Sequence, residues 1–189
     1  MMKELKYFAT ISSLLLGLLI QPIVAQTPLN LSDKSTMTVS GTSTLHDWHS
    51  EVETIKASAE AKIEGGQLVS IEKLIINVPV TSIKSGKSAM DKNTFEALKY
   101  KEHPTLKYQL TSSKIQGNQI TAEGKMVIAG EVRSVTLTGS YLLTGNSITI
   151  EGNYDIDMND YNIEPPTALM GTVTTGKDVT IHYHIIFNY

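Results

Sequence analysis

Cysteine is absent from all 189 residues. That removes disulfide frameworks, thiolate metal sites, cysteine nucleophiles and the acylated cysteine of lipoproteins together. Arginine is nearly absent: of 16 basic residues only Arg133 is an arginine, and the lysines are scattered against 19 acidic residues to leave a net charge of -3. Without a basic run there is no electrostatic footprint for nucleic acid, which is therefore not an expected partner. Aromatic residues make up only 6% and proline contributes 6 residues, and no internal repeat or low-complexity run appears. What is present, 41% hydrophobic and 19% charged side chains, has the proportions of one folded domain. A domain of this size buries roughly 70% of the surface its unfolded chain exposes, enough for a real core.

The chain opens with Lys3 and Lys6, an apolar stretch containing Leu14-Leu15-Leu16-Gly17-Leu18-Leu19-Ile20, and then Gln21-Pro22-Ile23-Val24-Ala25. A charged start, a short apolar middle and a small residue at the cut are the parts of an export signal. The apolar run falls short of the ~20 residues that span a bilayer. Residues 1–25 are expected to be a signal peptide cleaved after Ala25, residues 26–33 a linker, and residues 34–189 the folded domain of a periplasmic or secreted protein.

Beyond the linker the dominant signal is alternation with period two, the mark of strands with one buried face. Ile55, Ala57, Ala59, Ala61 and Ile63 alternate with Lys56, Ser58, Glu60, Lys62 and Glu64 before the turn Gly65-Gly66. The pattern returns in Leu106/Tyr108/Leu110, Ile120/Ala122/Gly124/Met126/Ile128, Val135/Leu137/Gly139/Tyr141/Leu143, Ile148/Ile150/Gly152/Tyr154/Ile156 and Val179/Ile181/Tyr183/Ile185/Phe187. With residues 36–41 and 68–80 this gives eight strands, the number at which a closed antiparallel barrel can hold one small ligand. One segment departs from the rhythm. Ser88-Ala89-Met90-Asp91 reads as a capping box opening a short helix that ends before His103-Pro104. A second irregular stretch, residues 159–177, is long for a hairpin connection and is expected to act as a flap.

Small residues recur on the inward faces: Ala57, Ala59, Ala61, Ala122, Gly124, Gly139 and Gly152. They predict free volume between Tyr108, Met126, Leu137, Tyr141, Ile150, Tyr154, Ile181 and Tyr183, and the near absence of charge among them predicts an apolar slot suited to a hydrocarbon chain. At roughly 0.8 kcal/mol per buried carbon, a five-carbon isoprenyl unit would gain about 4 kcal/mol before association costs.

Four segments carry a resemblance that spans essentially the whole mature chain: Val39-Ser40-Gly41-Thr42-Ser43-Thr44-Leu45-His46-Asp47-Trp48; Val80-Thr81-Ser82-Ile83 through Ser88-Ala89-Met90-Asp91 to His103-Pro104; Gly124-Lys125-Met126-Val127-Ile128-Ala129-Gly130; and Pro165-Pro166-Thr167-Ala168-Leu169-Met170-Gly171. In order and spacing they resemble the YceI-like family of polyisoprenoid-binding, lipocalin-like barrels. The resemblance implies an all-β fold, an extended eight-stranded antiparallel lipocalin-like barrel with one short helix after the third strand. It also implies a tunnel holding a long isoprenoid or similar amphiphile, in an exported protein of a Gram-negative bacterium. The sequence departs from the family where many members carry Arg-Asp and this chain has Met90-Asp91.

His46, Asp47 and Trp48 are placed at a barrel mouth, where they either meet a ligand head group or fix a turn; Leu169 and Met170 are expected as an apolar lip, mobile or static. His182 and His184 share the opposite strand face, a geometry that can bind metal, although solvated histidines are the plainer reading. Ser43, His46 and Asp47 supply the residue types of a hydrolytic triad without the accompanying elbow or oxyanion motif. The expected function is sequestration or carriage of a polyisoprenoid or similar lipid without bond chemistry. No cofactor or metal is expected beyond the bound amphiphile, whose delivery would involve transient membrane contact. A secreted metal-binding module and a hydrolase are the alternatives.

Overall fold

Strands that alternate apolar and polar residues must bury one face, and here they do so by closing the sheet on itself. The computed structural model describes residues 26–168 and 170–189; the expected signal peptide lies outside them. The strands are β1 (Thr27–Leu31), β2 (Thr36–Ser43), β3 (Trp48–Val52), β4 (Lys56–Glu64), β5 (Gln67–Pro79), β6 (Ile83–Lys84), β7 (Thr105–Gln116), β8 (Gln119–Ile128), β9 (Glu131–Thr144), β10 (Ser147–Asp157), β11 (Thr167–Ala168) and β12 (Val173–Asn188). One helix, α1 (Ser88–Ala97), follows β6.

The short strands join end to end. β1 pairs with β4 while β2 pairs with β3, and both β1 and β2 pair with β12, so β1 and β2 form one bent stave and β3 with β4 the next. β5 continues through a 3-10 turn, Val80–Ser82, into β6, which pairs with β3. With β7, β8, β9, β10 and β12 there are eight antiparallel staves in simple up-and-down order, the expected count. The ring closes where Asn30 faces Asn188 and Leu31 faces Phe187. The bend between β1 and β2 is pinned to β12: the Ser35 hydroxyl accepts from Ile186 N (3.0 Å) and donates to Ile186 O (3.2 Å). Tight reversals supply the rest. At Ala129-Gly130 both residues take positive φ (49° and 87°), as a two-residue hairpin requires.

Three expectations are corrected. The linker at residues 26–33 is largely β1, because Leu29, 5% exposed, supplies a core residue between Ala59 and the rest of the floor. The capping box does not form: Ser88 is already helical, and Asp91 instead accepts from the backbone N (2.7 Å) and hydroxyl (2.6 Å) of Ser85. Gly86, at φ 74°, turns the chain back so that Ser85 reaches the carboxylate. Residues 159–177 are not wholly irregular either, since β11 pairs with the start of β12 through Thr167–Thr174 and Ala168–Val173.

Candidate functional site

One end of the barrel is packed solid. Phe187, Ile148, Ala61 and Leu68 are all 3% exposed or less. Above them runs a tunnel of two chambers with volumes of about 130 and 370 Å³. β12 marks its course: Phe187, Ile185, Tyr183 and Ile181 border the deep chamber, and Ile181, Val179, Thr175 and Val173 the outer one. Alternate residues of one strand face one side, so a single strand lines the cavity from floor to mouth. The chambers meet at a neck where Val39, Ile83, Leu106, Ile128 and Ile181 border both.

Nine of the expected lining residues border the deep chamber: Tyr108, Ala122, Met126, Leu137, Gly139, Ile150, Tyr154, Ile181 and Tyr183. Six do not. Ala59 and Ala61 belong to the buried hydrophobic core, and Ala57 packs, partly buried, against it. Tyr141 also packs on the core. Gly124 makes room for the Tyr108 ring, which a Cβ at this position would approach to 2.6 Å, and Gly152 sits against the Tyr183 hydroxyl. These glycines are recesses for tyrosine rings, not empty volume. Even Gly139, which does border the chamber, would drive a Cβ into the Glu151 carbonyl. The Tyr108 hydroxyl donates to Ala122 O (3.2 Å) and that of Tyr183 to Thr138 O (2.9 Å), so both rings are anchored by the wall they fill. Burial, and then the neighbouring Tyr183, pushes the Tyr108 hydroxyl up to about 12; burial also raises that of Tyr183.

The mouth lies at the helix end. Trp48 and His46 border the outer chamber; Asp47 faces a separate outer groove instead. The Trp48 ring lies across Gly41 and its Nε1 donates to Thr42 O (3.0 Å). Met170 is fully exposed and does not form a lip over the chamber, whose rim on that side is Pro166, Thr167, Ala168 and Val173; Leu169 lies outside the described residues. Sequence reasoning missed the lid, α1. Ala89, Asn93 and Ala97, with Met90 and Thr94, share one helical face at i, i+4 spacing and border the outer chamber. That periodicity was the available signal, masked because the face is small and partly polar. Lys87 joins His46 at this rim.

The other constellations are resolved by their hydrogen bonds. The Ser43 hydroxyl donates to His46 O (2.7 Å) and accepts from the backbone N of Leu45 and of His46, while His46 Nδ1 meets Asp47 O (2.7 Å). These residues build a turn and make no nucleophile–imidazole contact. His182 is engaged at both ring nitrogens, by Asn153 Oδ1 (2.8 Å) and Ser40 Oγ (3.0 Å), and His184 Nδ1 pairs with Glu151 (2.7 Å). Among the described residues no three His, Asp or Glu side chains converge as metal ligands would. The Ser40–His182–Asn153 line lies on the outer wall, on the β12 face opposite Ile181 and Tyr183.

Known structures share this architecture. BcnA of Burkholderia cenocepacia matches with a TM-score of 0.70 at 16% identity, over 83% of this chain and 99% of that one. A polyisoprenoid-binding domain from Saccharophagus degradans matches at 0.63 and 9% identity, over 85% and 97%. The YceI protein of Campylobacter jejuni matches at 0.62 and 15% identity, over 74% and 84%. At these identities the likeness is one of fold. No curated protein sequence matches the chain. The profile of the YceI-like domain, however, matches residues 27–187, from the first stave to the last, and on that match the chain belongs to the YceI-like family.

Proposed function

We propose that this protein is an exported carrier that sequesters a polyisoprenoid or similar amphiphilic lipid in its barrel and performs no bond chemistry on it. The observation that carries this reading is the tunnel itself: a deep chamber walled by Ile, Leu, Val, Met and tyrosine rings opens through a neck into a wider chamber with a polar rim. An apolar chain entering it would gain roughly 0.8 kcal/mol per buried methylene, and the rim offers His46, Lys87, Asn93 and Thr94 to whatever polar part remains outside. The similarity to a domain named for polyisoprenoid binding supports the same reading. Export rests on the leader-like composition of residues 1–25 and predicts a mature chain beginning near Gln26.

Protein purified from its native host should release about one equivalent of an isoprenoid or fatty amphiphile into organic solvent, identified by mass spectrometry, and the stripped protein should take it up again. An extract without lipid, together with a stripped protein that takes up no added lipid, would overturn the proposal.

A further inference from the structure

Among the large apolar side chains exposed in the described residues, Val69, Val132 and Leu142 stand singly on the outer faces of β5 and β9, as isolated surface apolar residues commonly do. The other two, Leu45 and Met170, stand at the mouth. Leu45, 68% exposed, borders the outer chamber. Met170, fully exposed, lies in the turn between β11 and β12, whose paired ends Ala168 and Val173 form part of the rim. The two turns are tied together: Thr44 N donates to Thr174 O (3.0 Å) and Thr174 N to Thr44 Oγ1 (3.2 Å).

Met170 is out of place in water on two counts. Gly171 N donates to Ala168 O (3.1 Å), and as the third residue of that turn Met170 takes a φ of 56°. Glycine or asparagine ordinarily fills a left-handed turn position, and a polar side chain ordinarily fills a fully solvated one. A long apolar side chain held against both preferences beside the opening of an apolar tunnel points to contact with something other than water. Charge at the mouth is lopsided as well. Residues 84–101, the segment of α1 and its flanks, carry five lysines against Asp91 and Glu96, a net +3 in a chain whose total is -3. Lys87, Lys92, Lys99 and Lys101 are exposed. The acidic side chains Asp47, Asp155, Asp157 and Asp178 line a separate groove on the outer wall.

We propose that the mouth is a membrane-docking face: Leu45 and Met170 enter the interface of an anionic bilayer while the lysines of the α1 segment lie over its head groups, and the lipid passes between bilayer and tunnel without crossing water. The docking face rests on the lipid-carrier reading above, because a hydrocarbon chain that moves between bilayer and tunnel through water meets a penalty that grows with every methylene. Each lysine near an anionic surface adds attraction that falls off within a Debye length. Two side chains bury far fewer carbons than a single acyl anchor, whose own hold is marginal and reversible. Docking is therefore transient, as a carrier requires.

The test uses residues 26–189, which hold every stave, because the apolar run of residues 14–20 would itself partition into vesicles. Sedimentation should show binding to vesicles of phosphatidylcholine mixed with phosphatidylglycerol, and weaker binding to phosphatidylcholine alone or at high salt. Met170→Asn should weaken binding to the mixed vesicles about ten-fold, as the loss of one inserted side chain allows, while its denaturant midpoint and its uptake of geranylgeraniol from detergent micelles stay unchanged. Leu45→Ser should weaken vesicle binding similarly. Lys87→Gln should cost about five-fold on the mixed vesicles and nothing on phosphatidylcholine alone. Uptake from micelles without binding to mixed vesicles, or vesicle binding that Met170→Asn and Leu45→Ser leave intact, would overturn the docking face and keep the carrier. Binding confined to native membranes and abolished when those membranes are first treated with protease would assign the mouth to a protein receptor and overturn it too. Failure to take up lipid from micelles and vesicles alike would end the carrier reading and the docking face with it.

Discussion

Single residues decide whether the tunnel is empty or filled, and not in the way their size suggests. Gly124 and Ala122 occupy the same face of β8, but the glycine sits under the Tyr108 ring whereas the alanine borders the deep chamber. Gly124→Ala should therefore destabilise the protein by about 1–3 kcal/mol, the usual penalty of overpacking, read from urea unfolding. Ala122→Leu should behave oppositely: the added carbons enter a chamber of about 130 Å³, so stability should change by less than about 1 kcal/mol while lipid recovered per mole of protein falls several-fold. This difference could not be read from the sequence. Alternation showed that Ala57, Ala59, Ala61, Gly124 and Gly152 face inward, but which large side chain leans over each small one depends on neighbours brought from distant strands.

At the scale of elements, the strands were legible and the lid was not. Period-two patterning located all eight staves, because each has one face in the core, and it missed β1 only because Thr27-Pro28-Leu29-Asn30-Leu31 is too short for its alternation to stand out from a loop. The short helix was expected, but its function as cover of the outer chamber depends on tertiary placement. α1 buries no residue of its own and is held by the Asp91–Ser85 bonds. Those hydrogen bonds hold the Asp91 carboxyl below its ordinary value. A lowered folded-state value means that their stabilisation is present above the unfolded value of about 3.9 and fades as pH falls through the lower, folded one. Amide exchange in residues 88–97, corrected for the intrinsic pH dependence of exchange, should accelerate as pH drops below about 4. Asp91→Asn should loosen the same residues already at neutral pH, with faster lipid exchange.

Over the whole molecule, the tyrosines that line and support the tunnel set a limit at the alkaline side. Burial and neighbouring groups push the hydroxyls of Tyr108 and Tyr161 up to about 12. A raised folded-state value contributes stability that is fully present below the unfolded value of about 10 and is lost as pH rises toward 12. Denaturant midpoints should fall across that interval, before tyrosinate absorbance from these two residues develops in the folded protein near 12; a constant midpoint to pH 12 would show that folding does not raise these two phenols. Trp48, the only tryptophan, borders the outer chamber, so its emission should shift when a chain enters and report loading of the intact protein.

The pinned bend at Ser35 joins parts of the chain that meet late. The Ser35–Ile186 clasp spans 151 residues, whereas the hairpins from β7 to β10 connect neighbours in sequence. Contacts of long sequence separation carry the larger loop-closure cost and tend to form last, so the seam between β12 and the β1–β2 stave is expected to close last, leaving the barrel a curved, open trough until then. A chain caught in that trough would be enclosed as the seam closes, with no need to thread the neck. Refolding with lipid present should then give fuller loading than adding the same lipid after refolding, and loading that is equally fast and complete in both orders would assign all traffic to the mouth beneath α1.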